Sequence, residues 1–258
     1  MNTLITGASS GIGEALALEC AARGDTLFLC GRDRTRLEEV ARRARALGSA
    51  TYASVLDVTD REGVEAWMKT SDSLAPIERV FSNAGVGTGV ESEENVRRTF
   101  AVNVDGNLNV VLAAIALFRA HPEGRSRRQI LVTASIAGYG PLAACPAYSA
   151  TKSCMKTWAL SLRGALAREG IEVSAICPGF VRSRITDLNT CPMPFFLEAD
   201  AAARIILARA DRGTGLIAFP WPMRLATWAL SILPFRVNEL IGRLLPAKAA
   251  IKRERRAK

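Results

Sequence analysis

The 258-residue sequence has few of the side chains on which metal sites and disulfide frameworks depend. It has one histidine, His121, and none of its six cysteines forms a C-x-x-C pair. A histidine-rich metal site and a catalytic triad with a choice of histidine bases are therefore excluded, and we predict no metal site. With 49% hydrophobic residues, the chain can form a complete hydrophobic core without disulfides or a structural metal.

The cysteines also indicate a reducing compartment. They are scattered along the chain, and several lie in apolar runs, where a free thiol packs as a small hydrophobic group. No signal peptide precedes them, so we expect a cytoplasmic protein.

Positive charge is concentrated near the end of the sequence. Residues 224–258 contain nine basic and two acidic residues, a net charge of +7, against +9 for the whole chain. The preceding residues are therefore nearly balanced, so we expect no nucleic-acid binding by the main body. We predict a main unit, residues 1–222, followed by a C-terminal helical segment and basic tail, residues 223–258.

The C-terminal segment contains "RLATWALSILPF", in which eleven uncharged residues separate Arg224 from Arg236. This is far fewer than the roughly 20 residues that a helix needs to cross a bilayer. Helical spacing then predicts an apolar face made of Val237, Leu240, Ile241, Leu244 and Leu245. Such a segment suits peripheral docking on the anionic inner face of a membrane. It equally suits packing on the body or on a second subunit.

Strand-like and helix-like segments alternate along most of the chain. "TLFLCGR", "QILVTAS" and "IEVSAICPG" read as strands, whereas "DRTRLEEVARRARALG" has apolar residues at helical spacing. This alternation predicts an α/β fold in a single domain, a doubly wound parallel sheet of about seven strands with helices on both faces. In such sheets ligands bind beyond the carboxyl ends of the strands.

Three glycines mark the turn after the first strand. "TGASSGIG" places Gly7, Gly11 and Gly13 between that strand and the first helix. Glycines at this point permit a tight turn and let a pyrophosphate approach the backbone N–H groups at the positive end of the helix. The turn is therefore a candidate dinucleotide site.

Two further strand ends carry polar or small residues. The fourth strand ends in Asn83, Ala84 and Gly85, which either leave room for adenosine and ribose or form an ordinary turn. Asp57, after the third strand, either accepts a hydrogen bond from the adenine amino group or caps the following segment.

One pair of side chains suggests catalysis. In "PAYSATKSCMKTW", Tyr148 lies four residues before Lys152 in a predicted helix, so both side chains leave the same helix face. Taken alone, the pair favours a half-buried tyrosine beside a solvated lysine.

The motifs together resemble those of the short-chain dehydrogenase/reductase family. "TGASSGIG", "SNAG", Asn103, "VTAS", "YSATK" and "CPG" follow the family's order and spacing from residue 2 to about residue 210, in its TGxxxGxG and YxxxK branch. The resemblance implies a Rossmann-type fold, a nicotinamide cofactor and a catalytic group. That group would be Asn103, Ser135, Tyr148 and Lys152.

The resemblance also implies a role for each catalytic residue. Tyr148 would be the general acid in reduction and the general base in oxidation. Since a free phenol has a pKa of about 10, we expect Lys152 and the oxidised nicotinamide to lower it. Lys152 would also bind the ribose hydroxyls, Ser135 would hold the carbonyl oxygen, and Asn103 would support a water beside Lys152. Taken singly, Ser135 could merely bond the backbone and Asn103 could mark a helix kink.

The family pattern extends to the residues that contact the dinucleotide. Pro178 and Gly179 would shape the nicotinamide side, and Ser183 stands where the family often has a threonine for the carboxamide. The expected cofactor-binding residues are Gly7, Ser9, Ser10, Gly11, Ile12, Gly13, Arg32, Asp57, Val58, Asn83, Ala84, Gly85, Tyr148, Lys152, Pro178, Gly179, Val181 and Ser183.

The end of the second strand favours NADP(H) over NAD(H). Relatives selective for NAD usually have an acidic residue there, whereas this chain has Gly31 followed by Arg32. An arginine at this point resembles NADP-preferring members, in which it pairs with the 2′-phosphate. Asp33 and the uncharged Ser10 weaken the preference.

The segment "RSRITDLNTCPMPFFLEAD" is expected to cover the substrate. Its Met193, Phe195 and Phe196 indicate an apolar lid, and hence a small to medium hydrophobic substrate, or they only anchor the lid. We predict an NADP(H)-dependent oxidoreductase that interconverts a carbonyl and a secondary alcohol, as a homodimer or homotetramer. The alternatives are a non-catalytic nucleotide-binding sensor and a membrane-recruited protein of the same fold.

Overall fold

A parallel β-sheet forms the centre of the computed structural model, which describes residues 1–87, 90–121, 123, 125–187, 193–234 and 236–237. Its strands are β1 (Asn2–Thr6), β2 (Thr26–Gly31), β3 (Thr51–Val55), β4 (Arg79–Ser82), β5 (Gln129–Thr133), β6 (Glu172–Pro178) and β7 (Leu216–Phe219). Their order across the sheet is β3-β2-β1-β4-β5-β6-β7, and every pairing is parallel. The predicted seven-stranded parallel sheet is confirmed.

Helices connect successive strands. They are α1 (Gly11–Ala22), α2 (Arg34–Ala46), α3 (Arg61–Leu74), α4 (Glu93–Phe100), α5 (Gly106–Ala120), α6 (Pro146–Leu166), α7 (Arg184–Asp187), α8 (Ala199–Asp211) and α9 (Trp221–Ile232). A π-helical turn, Ala101–Asp105, separates α4 from α5. A 3₁₀ turn, Ile136–Tyr139, follows β5.

The helices cover both faces of the sheet, because neighbouring residues of a strand point to opposite faces. In β1, Leu4 joins the core that α3, α5 and α6 complete, and Ile5 joins the core that α1, α2 and α8 complete. All residues of β5 are buried. Burial on both faces explains why these strands read as continuous apolar runs rather than as alternating patterns.

The reversal of strand order beside β1 positions the site. β1 pairs with β2 on one side and with β4 on the other. The chain therefore winds outward in both directions from this point, and a crevice opens beyond the carboxyl ends of the strands. The glycine turn after β1 and the Asn83 segment after β4 both lie at this edge.

Among the described residues, one stretch, Glu93–Ala120, is long and apolar enough to cross a membrane. It comprises α4, the π-helical turn and α5. Half of its most apolar part is buried, and Val110, Ala114 and Phe118 are inaccessible in the core against the sheet. This burial identifies a core helix.

The predicted boundary at residue 222 stays a prediction. α9 begins at Trp221 and runs across it. Residues 238–258, with most of the predicted apolar face, lie outside the described residues, as does residue 235.

An ion pair between a buried arginine and a partly exposed carboxylate ties the amino end of the sheet to α8. Arg79 is 2% exposed, and its guanidinium donates to Gln129 Oε1 over 2.7 Å and to Asp211 Oδ1 over 2.6 Å. Asp211 also pairs with Arg23 over 2.9 Å. One carboxylate therefore joins α1, β4 and the end of α8.

Removing this buried cation is expected to destabilise the fold. Arg79→Met should lower the free energy of unfolding by about 2–3 kcal/mol, because Gln129 and Asp211 lose a charged donor. In the control, Arg97→Met, the lost partner is the exposed Glu93, so stability should hardly change. Urea denaturation measures both, and an unchanged midpoint for Arg79→Met would contradict the account.

Candidate active site

The turn between β1 and α1 brings backbone close to backbone. Gly7 has a φ of +67°, in the left-handed region that favours glycine. A Cβ on Gly13 would lie 2.2 Å from the Gly7 carbonyl oxygen, so only glycine fits there. Ser10 precedes α1 without a capping hydrogen bond from its side chain. The N–H groups of the first helical turn are therefore available to an anion at the positive end of the helix.

Asn83 joins the ends of three strands. Its N–H donates to Thr6 Oγ1 over 2.9 Å, and its Nδ2 donates to the Thr6 carbonyl over 3.2 Å. From β5, the Thr133 hydroxyl donates to Asn83 Oδ1 over 3.1 Å. This segment is therefore a fixed junction of β1, β4 and β5 and more than an ordinary turn.

Asn103 lies fully buried in the π-helical turn. Its Oδ1 accepts from the Val86 N–H over 2.8 Å, and its Nδ2 donates to the Val86 carbonyl over 3.0 Å and to Thr151 Oγ1 over 3.2 Å. A Cβ on Gly85 would lie 3.3 Å from both Asn103 Oδ1 and Lys152 Nζ. A π-helical turn therefore lies at Asn103, and the Asn103 amide and the Lys152 ammonium both approach Gly85.

Tyr148 and Lys152 lie one turn apart on α6, with Lys152 Nζ 5.7 Å from the centre of the Tyr148 ring. Lys152 is 3% exposed, and its Nζ donates over 2.9 Å to the carbonyl of Thr133, the last residue of β5. The alternative of a solvated lysine is therefore wrong. Ser135 lies beside the Tyr148 phenol. Its hydroxyl accepts from the Ala137 N–H over 3.1 Å and donates to the Pro178 carbonyl over 3.4 Å.

Burial shifts the pKa values of both members of this pair. Burial raises the pKa of Tyr148 to about 12, although the hydrogen bond with Ser135 lowers it. Burial lowers the pKa of Lys152 to about 8. Lys152 is not among the causes of the Tyr148 shift, so the expected lowering of the Tyr148 pKa by Lys152 together with an oxidised nicotinamide stays a prediction. The Tyr148 phenol, with its raised pKa, is therefore protonated at neutral pH.

Asp57 caps the segment after β3. Its Oδ1 accepts from the Thr59 N–H over 3.0 Å and from the Thr59 hydroxyl over 2.9 Å. Its Oδ2 lies 3.4 Å from Arg32 Nη1. Burial raises the pKa of Asp57, but the Thr59 hydrogen bonds and the Arg32 charge outweigh it and leave the pKa below its usual value. The ionised carboxylate therefore both caps the turn and orients Arg32.

Asp33 is committed to the start of α2. Its carboxylate accepts from the Arg36 N–H over 3.0 Å and pairs with Arg36 Nη2 over 2.8 Å. Arg36 Nε is buried and has no hydrogen-bond partner within the part of the chain that the structure describes. Asp33, which weakened the expectation of NADP(H), is therefore already paired with a second arginine, Arg36.

A cavity of about 900 Å³ beyond the strand ends brings the predicted residues together. Of the catalytic set, Ser135, Tyr148 and Lys152 line it, while Asn103 lies behind the lining. Gly13 does not line the cavity either. The other cofactor-binding predictions in its wall are Gly7, Ser9, Ser10, Gly11, Ile12, Arg32, Asp57, Val58, Asn83, Ala84, Gly85, Pro178, Gly179, Val181 and Ser183.

The lid begins at the same cavity. The Ser183 N–H donates to Thr186 Oγ1 over 2.8 Å, which fixes the first turn of the lid. At its far end, the Arg182 guanidinium lies over the Phe196 ring, 5.2 Å from its centre, and Phe195 is 57% exposed. Residues 188–192 lie outside the described residues, so apolar contact between lid and substrate stays a prediction.

Several residues that hold the site together carry no motif. Asn107 is 1% exposed, donates to the Ala84 carbonyl over 3.1 Å and pairs with the Ser82 hydroxyl over 2.6 Å. Glu91 accepts from the Ala147 N–H over 3.1 Å at the start of α6, where no side chain of the helix's own cap does so. These contacts join residues far apart in the sequence, so spacing alone does not reveal them.

The fold and the site together define a class of protein, a Rossmann-type oxidoreductase with a Ser-Tyr-Lys group beside its dinucleotide turn. The family model described as short chain dehydrogenase matches residues 1–190. An uncharacterised oxidoreductase from Myxococcus xanthus is 35% identical over 249 residues, which cover 94% of this chain and 96% of that one. The protein belongs to the short-chain dehydrogenase/reductase family and is an NAD(P)-dependent dehydrogenase or reductase.

Solved structures agree with this assignment. A short-chain dehydrogenase from Sphingobium yanoikuyae in complex with NADPH is 27% identical, with a TM-score of 0.78 and coverage of 97% of this chain and 99% of that one. A short-chain dehydrogenase/reductase from Burkholderia phymatum in complex with NAD is 25% identical, with a TM-score of 0.79 and coverage of 93% and 94%. A nicotinamide cofactor is therefore supported for this chain.

The close approach of the 3₁₀ turn to α6 can be tested by adding one methyl group. A Cβ on Gly138 would lie 2.6 Å from the carbonyl carbon of Lys152. Gly138→Ala should therefore push the Ser135 turn away from the catalytic helix, destabilise the protein by about 1–3 kcal/mol and reduce turnover at least about tenfold.

The matched control is Gly140→Ala, two residues further on, where an added Cβ meets nothing within 4 Å. This variant should retain wild-type turnover and thermal stability. If Gly138→Ala behaved like Gly140→Ala in both measurements, the tight contact would not matter for the site.

Proposed function

We propose that this protein is an NADP(H)-dependent oxidoreductase that interconverts a carbonyl and a secondary alcohol. The observation that carries the proposal is the grouping of Ser135, Tyr148 and the buried Lys152 in one cavity with the glycine turn. A non-catalytic nucleotide sensor would have no need for a buried ammonium one helix turn from a phenol. The wall residues Val86 and Ile185 favour a small to medium hydrophobic substrate.

The residues fit a dinucleotide. The glycine turn leaves the first N–H groups of α1 available to a pyrophosphate, and Asn83, Ala84 and Gly85 present a flat junction of strand ends. Lys152 Nζ has three N–H donors, and one goes to the Thr133 carbonyl. The others would hold the ribose hydroxyls. When bound, the nicotinamide would supply or accept the hydride and, in its oxidised form, would bring a positive charge.

Tyr148 would transfer the proton. In reduction, as hydride reaches the carbonyl carbon, the electrons of the C=O double bond move onto oxygen, and the phenol donates its proton there. The pKa of about 12 keeps Tyr148 protonated for this step. The Ser135 hydroxyl would donate to the same oxygen as charge develops. Asn103 would hold the backbone of Val86 beside Lys152. The proton that Tyr148 gives up would be replaced from this side.

Two arginines favour NADP(H) over NAD(H). Arg32 lines the cavity and is oriented by Asp57 over 3.4 Å. Arg36 lines the same part of the wall, and its buried Nε lacks an acceptor in the described chain. A phosphate would satisfy both guanidinium groups through charge-assisted hydrogen bonds.

The proton-donor role is tested by Tyr148→Phe. Turnover of a carbonyl substrate should fall by about 10²–10⁴, because only the phenolic proton is removed, while NADPH binding measured by fluorescence should persist. Tyr139→Phe, in the neighbouring 3₁₀ turn and outside the cavity wall, is the control and should remain active. Substantial turnover by Tyr148→Phe would refute the role.

Cofactor selectivity is tested by Arg32→Ala. The KM for NADPH should rise about 10- to 100-fold, as expected for the loss of charge-assisted hydrogen bonds, while the KM for NADH stays nearly constant. The control is Arg34→Ala, an exposed arginine two residues later that does not line the cavity. A wild-type enzyme that prefers NADH, or an Arg32→Ala variant with unchanged selectivity, would contradict the preference.

A further inference from the structure

The outer face of α9 is apolar and exposed. Trp221, Leu225, Trp228 and Ile232 are 72%, 54%, 51% and 63% exposed. Their spacing of four, three and four residues places them in one narrow row along the helix. We call these four residues the α9 row. In a helix that served only to cover the core, this row would face inward.

The opposite face of α9 already packs on the body. Met223, Thr227 and Leu230 are half-buried, and Met223 Sδ lies 3.1 Å from where a Cβ of Gly179 would be. Gly179 lines the catalytic cavity. The helix is therefore held by its inner face beside the cavity wall, and the α9 row points away from the protein.

The sequence from α9 onward is mainly basic. α9 contains no acidic residue and one basic residue, Arg224. Residues 224–258 as a whole have nine basic and two acidic residues. An anionic lipid surface complements this excess and accepts tryptophan side chains at its headgroup level. A second copy of the chain would instead bring the same positive charge against it, which disfavours self-association through this face.

The dimensions of α9 also suit a surface. Its 12 residues extend over roughly 18 Å, too short for the roughly 30 Å of a bilayer core. A helix with an apolar row and basic flanks lies in the plane of the interface with its apolar side inserted.

From this geometry we propose that α9 docks flat on an anionic lipid bilayer, with Trp221, Leu225, Trp228 and Ile232 at the boundary of headgroups and acyl chains. The docked helix places the wall of the catalytic cavity beside the membrane. The docking is independent of the reaction and needs no substrate.

Vesicle co-sedimentation of the full-length protein tests the proposal. The double variant Leu225→Gln/Trp228→Gln removes half of the α9 row. Its control, Leu47→Gln/Leu74→Gln, changes two leucines elsewhere that are 52% and 58% exposed. The vesicles are phosphatidylcholine alone or phosphatidylcholine with roughly one third phosphatidylglycerol. Thermal unfolding and NADPH binding establish that each variant is folded.

Wild type and control should sediment with the anionic vesicles, and the α9 variant should partition about tenfold less. Neutral vesicles, or salt at about 1 M, should reduce wild-type binding because the charge attraction is lost or screened. Equal binding by the α9 variant and the control would overturn the proposal. A second result would also overturn it: no vesicle binding, together with a dimer that the α9 variant abolishes. Analytical ultracentrifugation detects such a dimer, in which a second copy of the chain would cover the α9 row.

Discussion

The site depends on the hydrogen bond between the buried ammonium of Lys152 and the carbonyl of Thr133, 2.9 Å away. A buried cation is costly unless it is hydrogen-bonded, and burial lowers the pKa of Lys152 to about 8. Because α6 is fixed to the end of β5 through this bond, Tyr148 one turn earlier is fixed relative to the strand ends. The position of Tyr148 thus follows from the sheet.

Thr133 links this anchor to the dinucleotide side of the cavity. Its carbonyl accepts from Lys152, while its hydroxyl donates to Asn83, which in turn bonds Thr6 at the end of β1. The π-helical turn brings Asn103 to the same place. One polar network therefore spans β1, β4, β5 and α6, so the glycine turn and the catalytic helix cannot shift independently. Such pre-organisation is what the proposed transfer of hydride and proton would require.

The sequence predicted the sheet and the strand ends because each is a local pattern, an alternation of segments or a spacing of glycines. The four-residue step from Tyr148 to Lys152 and the family resemblance led to the predicted catalytic set, of which Ser135, Tyr148 and Lys152 line one cavity. The sequence did not predict that burial raises the pKa of Tyr148, since desolvation depends on what packs around α6. Nor did it reveal Asn107 or Glu91, whose partners are distant in sequence, or the outward direction of the α9 row. The cytoplasmic location and the homodimer or homotetramer stay predictions.

Burial keeps Tyr148 protonated when no dinucleotide is bound. For Tyr148 to act as a base in oxidation, the positive charge of an oxidised nicotinamide must therefore lower its pKa. Tyrosinate absorbance tests this directly, because the chain has three tyrosines and subtracting the titration of Tyr148→Phe isolates Tyr148. The account predicts a pKa near 12 without dinucleotide and a clearly lower one with oxidised NADP. The same pKa with and without the dinucleotide would contradict it.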